Sequence, residues 1–169
     1  MKNILVRPNG VLVFNGKGYR CALGKGGVKV DHVEGDEATP TGCFRIRKVF
    51  YRPDKFDGIP PETVFPTQAL YLDDGWSDDV NLLEYNKHIK LPYDGSHEEL
   101  WRKEDHLYDI IVVLGRNDSP PVPRKGSAIF MHLTREGYPP THGCIALSRE
   151  DLLEILRIAK LSTQVCVSL

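Results

Sequence analysis

The sequence predicts a mainly β fold with one or two helices, in a single domain spanning residues 1–169. Three observations lead there. Short apolar runs broken by turn residues fill the first fifty positions. Two β-branched apolar runs, residues 108–114 and 127–133, read as buried strands. One capped amphipathic pattern, residues 148–160, reads as a helix.

The elements follow in order. Ile4 to Arg7 and Val11 to Phe14 flank Pro8-Asn9-Gly10, and Asn15-Gly16 precedes a strand from Tyr19 to Leu23. Asn-Gly steps between apolar runs are strong hairpin signals. Gly24-Lys25-Gly26-Gly27 lacks the Gly-Lys-Ser/Thr ending of a phosphate loop and reads as a turn. Phe44 to Tyr51 alternates apolar and basic residues and reads as a strand. Residues 53–107 are polar and irregular, with a turn at Asp73-Asp74-Gly75 and a capped helical turn at Ser96 to Trp101. An insertion of this length suits a substrate wall or lid. In the helix, Leu152, Leu153, Leu156 and Ala159 make the apolar face. The tail alternates Val165, Val167 and Leu169 against polar positions, a final strand from which Cys166 points away.

Composition narrows the function. The formal net charge of −1 gives no general pull toward nucleic acid or anionic membranes, so neither partner is expected. The N-terminal stretch is interrupted at Arg7 to Gly10, short of the apolar core of a secretory signal, and no run is long enough to span a membrane. The expectation is a cytoplasmic monomer, or a periplasmic one if a signal has been removed. Cys21, Cys43, Cys144 and Cys166 form no Cys-x-x-Cys pair, and Cys21, Cys43 and Cys166 are expected as free, mostly buried thiols. His32, His88, His97 and His106, and the acidic loop of Asp73, Asp74, Asp78 and Asp79, are expected on the solvated surface.

Cys144 raises the chemical question. It sits in Pro-Pro-Thr-His-Gly-Cys, residues 139–144, between a strand ending near His132 and the capped helix. Three readings are open: a buried filler, a zinc ligand with His132 and His142, or a nucleophile. Zinc lacks an obvious fourth ligand. For a nucleophile, His132 is the better partner, because an imidazolium lowers a thiol's pKa and supplies an acid to the leaving group. Gly143 and Cys144 would offer adjacent N–H groups to an oxyanion. The papain order, Cys before His, is reversed here.

The segment GSAIFMHLTREGYPPTHGCIAL, residues 126–147, resembles the signature of the L,D-transpeptidase catalytic domain, or YkuD, family: a His at a strand end, a spacer, then Ser/Thr-x-Gly-Cys. EGDEATPTGCFRI, residues 34–46, is similar to the family's Gly-Asp-x-x-Thr-Pro-x-Gly stretch, and the segments around 73–89, 96–101 and 108–118 resemble one of its branches. The resemblance implies a β-sandwich-like catalytic fold, no cofactor and no metal. It implies peptidoglycan stem peptides or muropeptides as partners. Cys144 would be the nucleophile and His132 the general base and acid, with the Leu133 carbonyl orienting its ring. Gly143 and Cys144 would bind the oxyanion, and His142 and Thr141 would line the site. The implied reaction forms a Cys144 thioester from a stem tetrapeptide with release of terminal D-alanine. Transfer to an amine makes a cross-link; transfer to water makes the enzyme an L,D-carboxypeptidase, the expected role in the cytoplasm. A non-catalytic wall-peptide binder or a zinc protein is the alternative. Where many members have Arg shortly after the Cys, this chain has Ala146, so carboxylate recognition must come from elsewhere, with Arg116, Lys125 and Arg135 as candidates. Trp76-Ser77-Asp78 stands where the branch often has Trp-Cys-Asp.

Overall fold

The computed structural model describes residues 3–169; Met1 and Lys2, the start of the stretch read for a leader, lie outside the described residues. The strands are β1 (Ile4–Arg7), β2 (Val11–Phe14), β3 (Lys17–Arg20), β4 (Val28–Lys29), β5 (Thr39–Pro40), β6 (Gly42–Tyr51), β7 (Thr67–Ala69), β8 (Asp74–Ser77), β9 (His88–Lys90), β10 (His97–Glu99), β11 (Ile110–Leu114), β12 (Phe130–Leu133), β13 (Ile145–Leu147) and β14 (Gln164–Val167). The helix α1 (Arg149–Ile158) lies between the last two.

The large sheet runs β13-β12-β11-β6-β14-β1-β2-β3, with β7 beside β6. β12 pairs with β13 and β1 with β14 in parallel; the other neighbours along the path are antiparallel. After β3 the chain leaves its hairpin, and Ala22 exchanges both backbone hydrogen bonds with Ala146 of β13, at 2.8 and 2.9 Å. That bridge brings the two ends of the sheet together, so the sheet nearly closes on itself. It also explains why the third strand ends at Arg20 rather than Leu23: residues 22–24 are recruited by the β13 side.

Burial on both faces makes the architecture sandwich-like. Ile110, Val112 and Leu114 of β11 face the main core with Val49, Met131, Leu133 and the helix residues Leu152, Ile155 and Leu156. Ile111 and Val113 face the other way, with Phe50 and Phe130, onto Trp76, Leu100, Tyr108 and Cys144. This explains the unbroken apolar run of β11, which has no solvent face. The helix begins where its cap predicts, with Asp151 N–H donating to Ser148 Oγ at 3.1 Å. The Asn15-Gly16 turn has both residues at positive φ, 51° and 77°, as a tight hairpin requires.

Four local expectations are corrected. Ser96 to Trp101 holds no helical turn; β10 pairs antiparallel with β8, which pairs with β9, in a separate three-stranded sheet. Asp74 lies in β8 rather than a solvated loop, fully buried against His88 Nε2 and Lys90 Nζ, each at 2.7 Å. His32 is buried, with Nδ1 2.8 Å from Asp36 Oδ1 at an angle that makes no hydrogen bond. Cys43 and Cys166 are not free thiols: they stand opposite each other in the β6–β14 register and form a disulfide. Spacing along the chain carries no sign of such a pair, because 123 residues separate the two.

The disulfide has a direct readout. Alkylation of denatured, unreduced protein should add two labels, at Cys21 and Cys144, and four after reduction, counted by intact mass. Four labels before reduction would refute the pairing.

Candidate active site

The parallel pairing of β12 and β13 sets the geometry. Met131 stands opposite Ile145 and His132 opposite Ala146. Cys144, just ahead of β13, falls beside Phe130, whose N–H points at its sulfur at 3.4 Å. Cys144 and His132 therefore line one cavity of about 570 Å³, with Ala128, Tyr108, Thr141 and Ala146.

The loop carrying Cys144 is clasped from several sides. Thr141 N–H donates to Leu23 O and Lys25 N–H to Thr141 O. Thr39, from the Thr-Pro stretch, donates its hydroxyl to Gly143 O at 2.9 Å and accepts from Gly24 N–H at 2.9 Å. Gly143 has φ +133°, and a Cβ there would meet Ala38 O at 2.8 Å, so only glycine fits. Thr141 works within the loop: its hydroxyl donates to Cys144 O at 2.6 Å and accepts from Gly143 N–H at 3.1 Å. The Gly143 N–H, expected as an oxyanion donor, is thus already engaged.

His132 Nδ1 bonds Leu133 O at 2.8 Å, and Tyr108 packs edge-on against its ring at 5.3 Å between centroids. The carbonyl is an acceptor, so Nδ1 carries the proton and Nε2 is left as the basic nitrogen. Burial pushes the imidazolium pKa down to about 4, so the ring is neutral at rest. The Cys144 thiol donates to Ala128 O at 3.2 Å, and burial pushes its pKa up to about 12. An ion pair would need the thiol to be the stronger acid of the two; here that order is reversed. The expectation of a resting thiolate beside an imidazolium is therefore corrected: the site rests as thiol and imidazole.

Ala128, the thiol's acceptor, has φ +55° and is held there by Asn86. Asn86 Oδ1 accepts from Ala128 N–H and Trp76 Nε1–H, both at 3.0 Å, while its amide group donates to Arg116 O and Asn117 O. One residue earlier, Ser127 Oγ donates to Glu34, and Gly126 N–H donates to the hydroxyl of Tyr85, which itself donates to Glu34. Across the cavity, Tyr108 donates its hydroxyl to Glu98. Asn86, Tyr108 and Glu98 carry no local signal of this role; only the pairing of distant strands brings them here.

The remaining predicted residues divide. His142 lines the cavity, but its side chain is 92% exposed, with Nε2 3.7 Å from Glu37. Among the described residues, no three His, Cys, Asp or Glu side chains are grouped to hold a metal, so His132, His142 and Cys144 do not make the zinc set considered from sequence. Leu133 contributes its carbonyl, while its side chain is buried in the main core. Arg116 is not a cavity residue; its guanidinium turns to the Lys125 carbonyl. Arg135 does line the cavity, and Arg102, not anticipated from sequence, lines it too. His97 is also a cavity residue rather than a freely solvated group, with Nδ1 2.8 Å from Gly95 O.

Residues 2–167 match the profile of the family described as L,D-transpeptidase catalytic domain, YkuD. Solved structures similar to the chain include an L,D-transpeptidase from Mycobacterium smegmatis, 13% identical, with 98% of this chain and 58% of that one covered and a TM-score of 0.43. L,D-transpeptidase 1 from Mycobacterium tuberculosis is 14% identical, with 98% and 60% covered and a TM-score of 0.42. L,D-transpeptidase 3 from the same organism, in complex with a faropenem-derived adduct, is 15% identical, with 98% and 59% covered and a TM-score of 0.45. The chain spans about three fifths of the length of those proteins. No curated protein matches it.

The buried thiol makes a kinetic prediction. With a pKa of about 12, roughly one Cys144 in 10⁵ is ionised at pH 7. Its alkylation by iodoacetamide in the folded protein should rise about tenfold per pH unit from pH 7 to 10. A plateau at or below pH 8.5 would show a thiolate already formed.

Proposed function

The chain belongs to the L,D-transpeptidase catalytic domain family, and on that footing we propose that it is a cysteine acyltransferase acting on peptidoglycan stem tetrapeptides through Cys144. The observation that carries this reading is the shared cavity: it is lined by both a free thiol and an imidazole whose Nδ1 bonds a backbone carbonyl.

The reaction starts from the neutral pair. Bound substrate turns the thiol from Ala128 O toward His132, and Nε2 takes the proton as sulfur attacks. The sulfur lone pair forms the bond to the carbonyl carbon of the third stem residue, and the carbonyl π pair moves to oxygen. The Cys144 N–H stabilises that oxyanion, since Gly143 N–H is held by Thr141. Collapse breaks the bond to the terminal D-alanine, whose amine takes the proton from Nε2. A thioester remains on Cys144. Water then gives a tripeptide, the L,D-carboxypeptidase outcome, and an amine of a second stem gives a cross-link.

The compartment is a further proposal. Cytoplasmic residence was the expectation from the N-terminal stretch, but a cross-strand disulfide is supported by an oxidising compartment and disfavoured by the cytosol. We therefore favour the oxidising side of the membrane. Acid-quenched cells, alkylated before lysis, should yield the Cys43–Cys166 pair oxidised; a fully reduced pair would return the protein to the cytoplasm and to trimming of muropeptides.

Incubation with a disaccharide tetrapeptide should release D-alanine and give a transient mass adduct on Cys144. Cys144→Ala should abolish both, and His132→Ala should lower the rate by roughly 10²–10⁴. The base acts as neutral imidazole, so activity should be level from pH 7 down to 5 and fall only as the pH approaches about 4. Full activity in Cys144→Ala would remove the nucleophile from the reading. Tight peptide binding with no adduct would favour a non-catalytic binder.

A further inference from the structure

We propose that Tyr85 and Asn86 are positioning residues for the reaction: together they fix the Ala128 carbonyl that holds the Cys144 thiol, and so set how readily that thiol is released for attack. The inference rests on the acyltransferase reading and deepens it. It also gives the long insertion a task other than the wall or lid suggested by its length.

The two neighbours grip one short segment. Tyr85 is buried, and its hydroxyl accepts from Gly126 N–H at 2.9 Å while donating to Glu34 at 2.7 Å. Asn86 is buried beside it and accepts from Ala128 N–H at 3.0 Å. Only Ser127 lies between the two anchored N–H groups, and its hydroxyl is itself tied to Glu34 at 2.6 Å. At the other end of the same loop, the Asn86 amide donates to Arg116 O at 3.1 Å and to Asn117 O at 2.7 Å. Its fourth bond is accepted from Trp76 Nε1–H at 3.0 Å. An asparagine side chain offers two donors and two acceptor lone pairs, and all four are used here. Three of the four go to the backbone of the loop that carries Ala128.

The conformation held is one that alanine does not favour. Ala128 has φ +55°, a region where a Cβ crowds the backbone. That turn directs Ala128 O at the Cys144 sulfur, 3.2 Å away. A carbonyl acceptor stabilises the protonated thiol, so the bond opposes ionisation. Phe130 N–H reaches the same sulfur at 3.4 Å, and the Phe130 ring packs edge-on against Trp76 with centroids 5.1 Å apart. Trp76 thus ties Asn86 to both backbone contacts of the sulfur. Asn86 is in turn fixed from β8, its N–H donating to Ser77 O at 2.9 Å. Neither Tyr85 nor Asn86 is a cavity residue, so both act through Ala128 rather than on a substrate.

The test reads the thiol in the free protein, apart from any turnover. Cys144 and Cys21 are both buried free thiols, and their labelling by iodoacetamide at one fixed pH is followed in the same molecules by peptide mass spectrometry. The ratio of the two rates cancels a general loosening of the fold. Asn86 has φ +58°, so Asn86→Gly removes the side chain without straining the backbone. It should raise the Cys144:Cys21 ratio roughly 2–10-fold, the range spanned by one net hydrogen bond. Tyr85→Phe keeps the ring and should raise the ratio by less. Asn86→Asp keeps an acceptor for Ala128 N–H and loses both amide donors, so its ratio should stay at or below the wild-type value even as its melting temperature falls. An unchanged ratio in Asn86→Gly, a parallel rise at both cysteines, or an equal rise in Asn86→Asp would overturn the proposal. If the Asn86 variants do not melt cooperatively, Tyr85→Phe decides: a raised ratio supports the positioning role and a wild-type ratio overturns it. Release of D-alanine from the tetrapeptide is measured alongside. Its absence in the wild type counts against the acyltransferase reading, while the labelling ratio still decides what holds the thiol.

Discussion

The site depends on one constraint, the capture of a three-residue strand from both sides. β13 pairs with β12 on one edge and with Ala22 on the other. Neither pairing is local: β12 and β13 are parallel with a loop between them, and Ala22 comes from far earlier in the chain. With both edges fixed, the residues just before β13 have little freedom, and the clasp by Thr39 removes most of what is left. Cys144 is consequently set beside Phe130 and on the same side of the sheet as His132. Sheet closure and placement of the cysteine are the same set of hydrogen bonds.

That placement has an electrostatic consequence. A cysteine and a histidine buried at the wall of the cavity both lose water, and burial acts on them in opposite directions. It raises the thiol pKa and lowers the imidazolium pKa, so both changes favour the neutral pair. The thiol is held meanwhile on Ala128 O, at a backbone position that Asn86 keeps at positive φ. In the proposed reaction, activation therefore belongs to the complex rather than to the free protein. The charged groups nearby are held by other partners, Glu98 by Tyr108 and Asp105 by two arginines.

The places where local sequence misled share a cause. Ser-His-Glu-Glu at 96–99 has the spacing of a capping box, yet β8 offers it a ladder, and tertiary pairing outweighs a capping preference of about 1 kcal/mol. Asp74 follows another Asp and precedes a Gly, the composition of a turn, but His88 and Lys90 arrive across the strands to neutralise it. His32 looks solvated in a polar stretch until Asp36 and Gly126 enclose it. In each case the partner that decides the environment is contributed by another strand or loop.

Patterns with short periods were legible from sequence. The apolar run of β11 required burial on both faces, the Asn15-Gly16 step required a hairpin, and Ser148 with Asp151 fixed the start of the helix. The first three depend on a few neighbouring residues, and their physics is complete within that span. The Thr-His-Gly-Cys string and a strand-end His132 marked a candidate loop, and it was the resemblance, not local physics, that added the Thr39-Pro40 stretch now seen to clasp it. Tertiary structure alone decided what depends on register: the Cys43–Cys166 pairing, the neutral state of Cys144 and His132, the engagement of Gly143 N–H by Thr141, the placing of Asn86 against Ala128, and the gathering of Tyr108, Arg102 and Arg135 around the cavity. Those properties arise from burial and from contacts between strands far apart in the chain, and neither is written in any local window of residues.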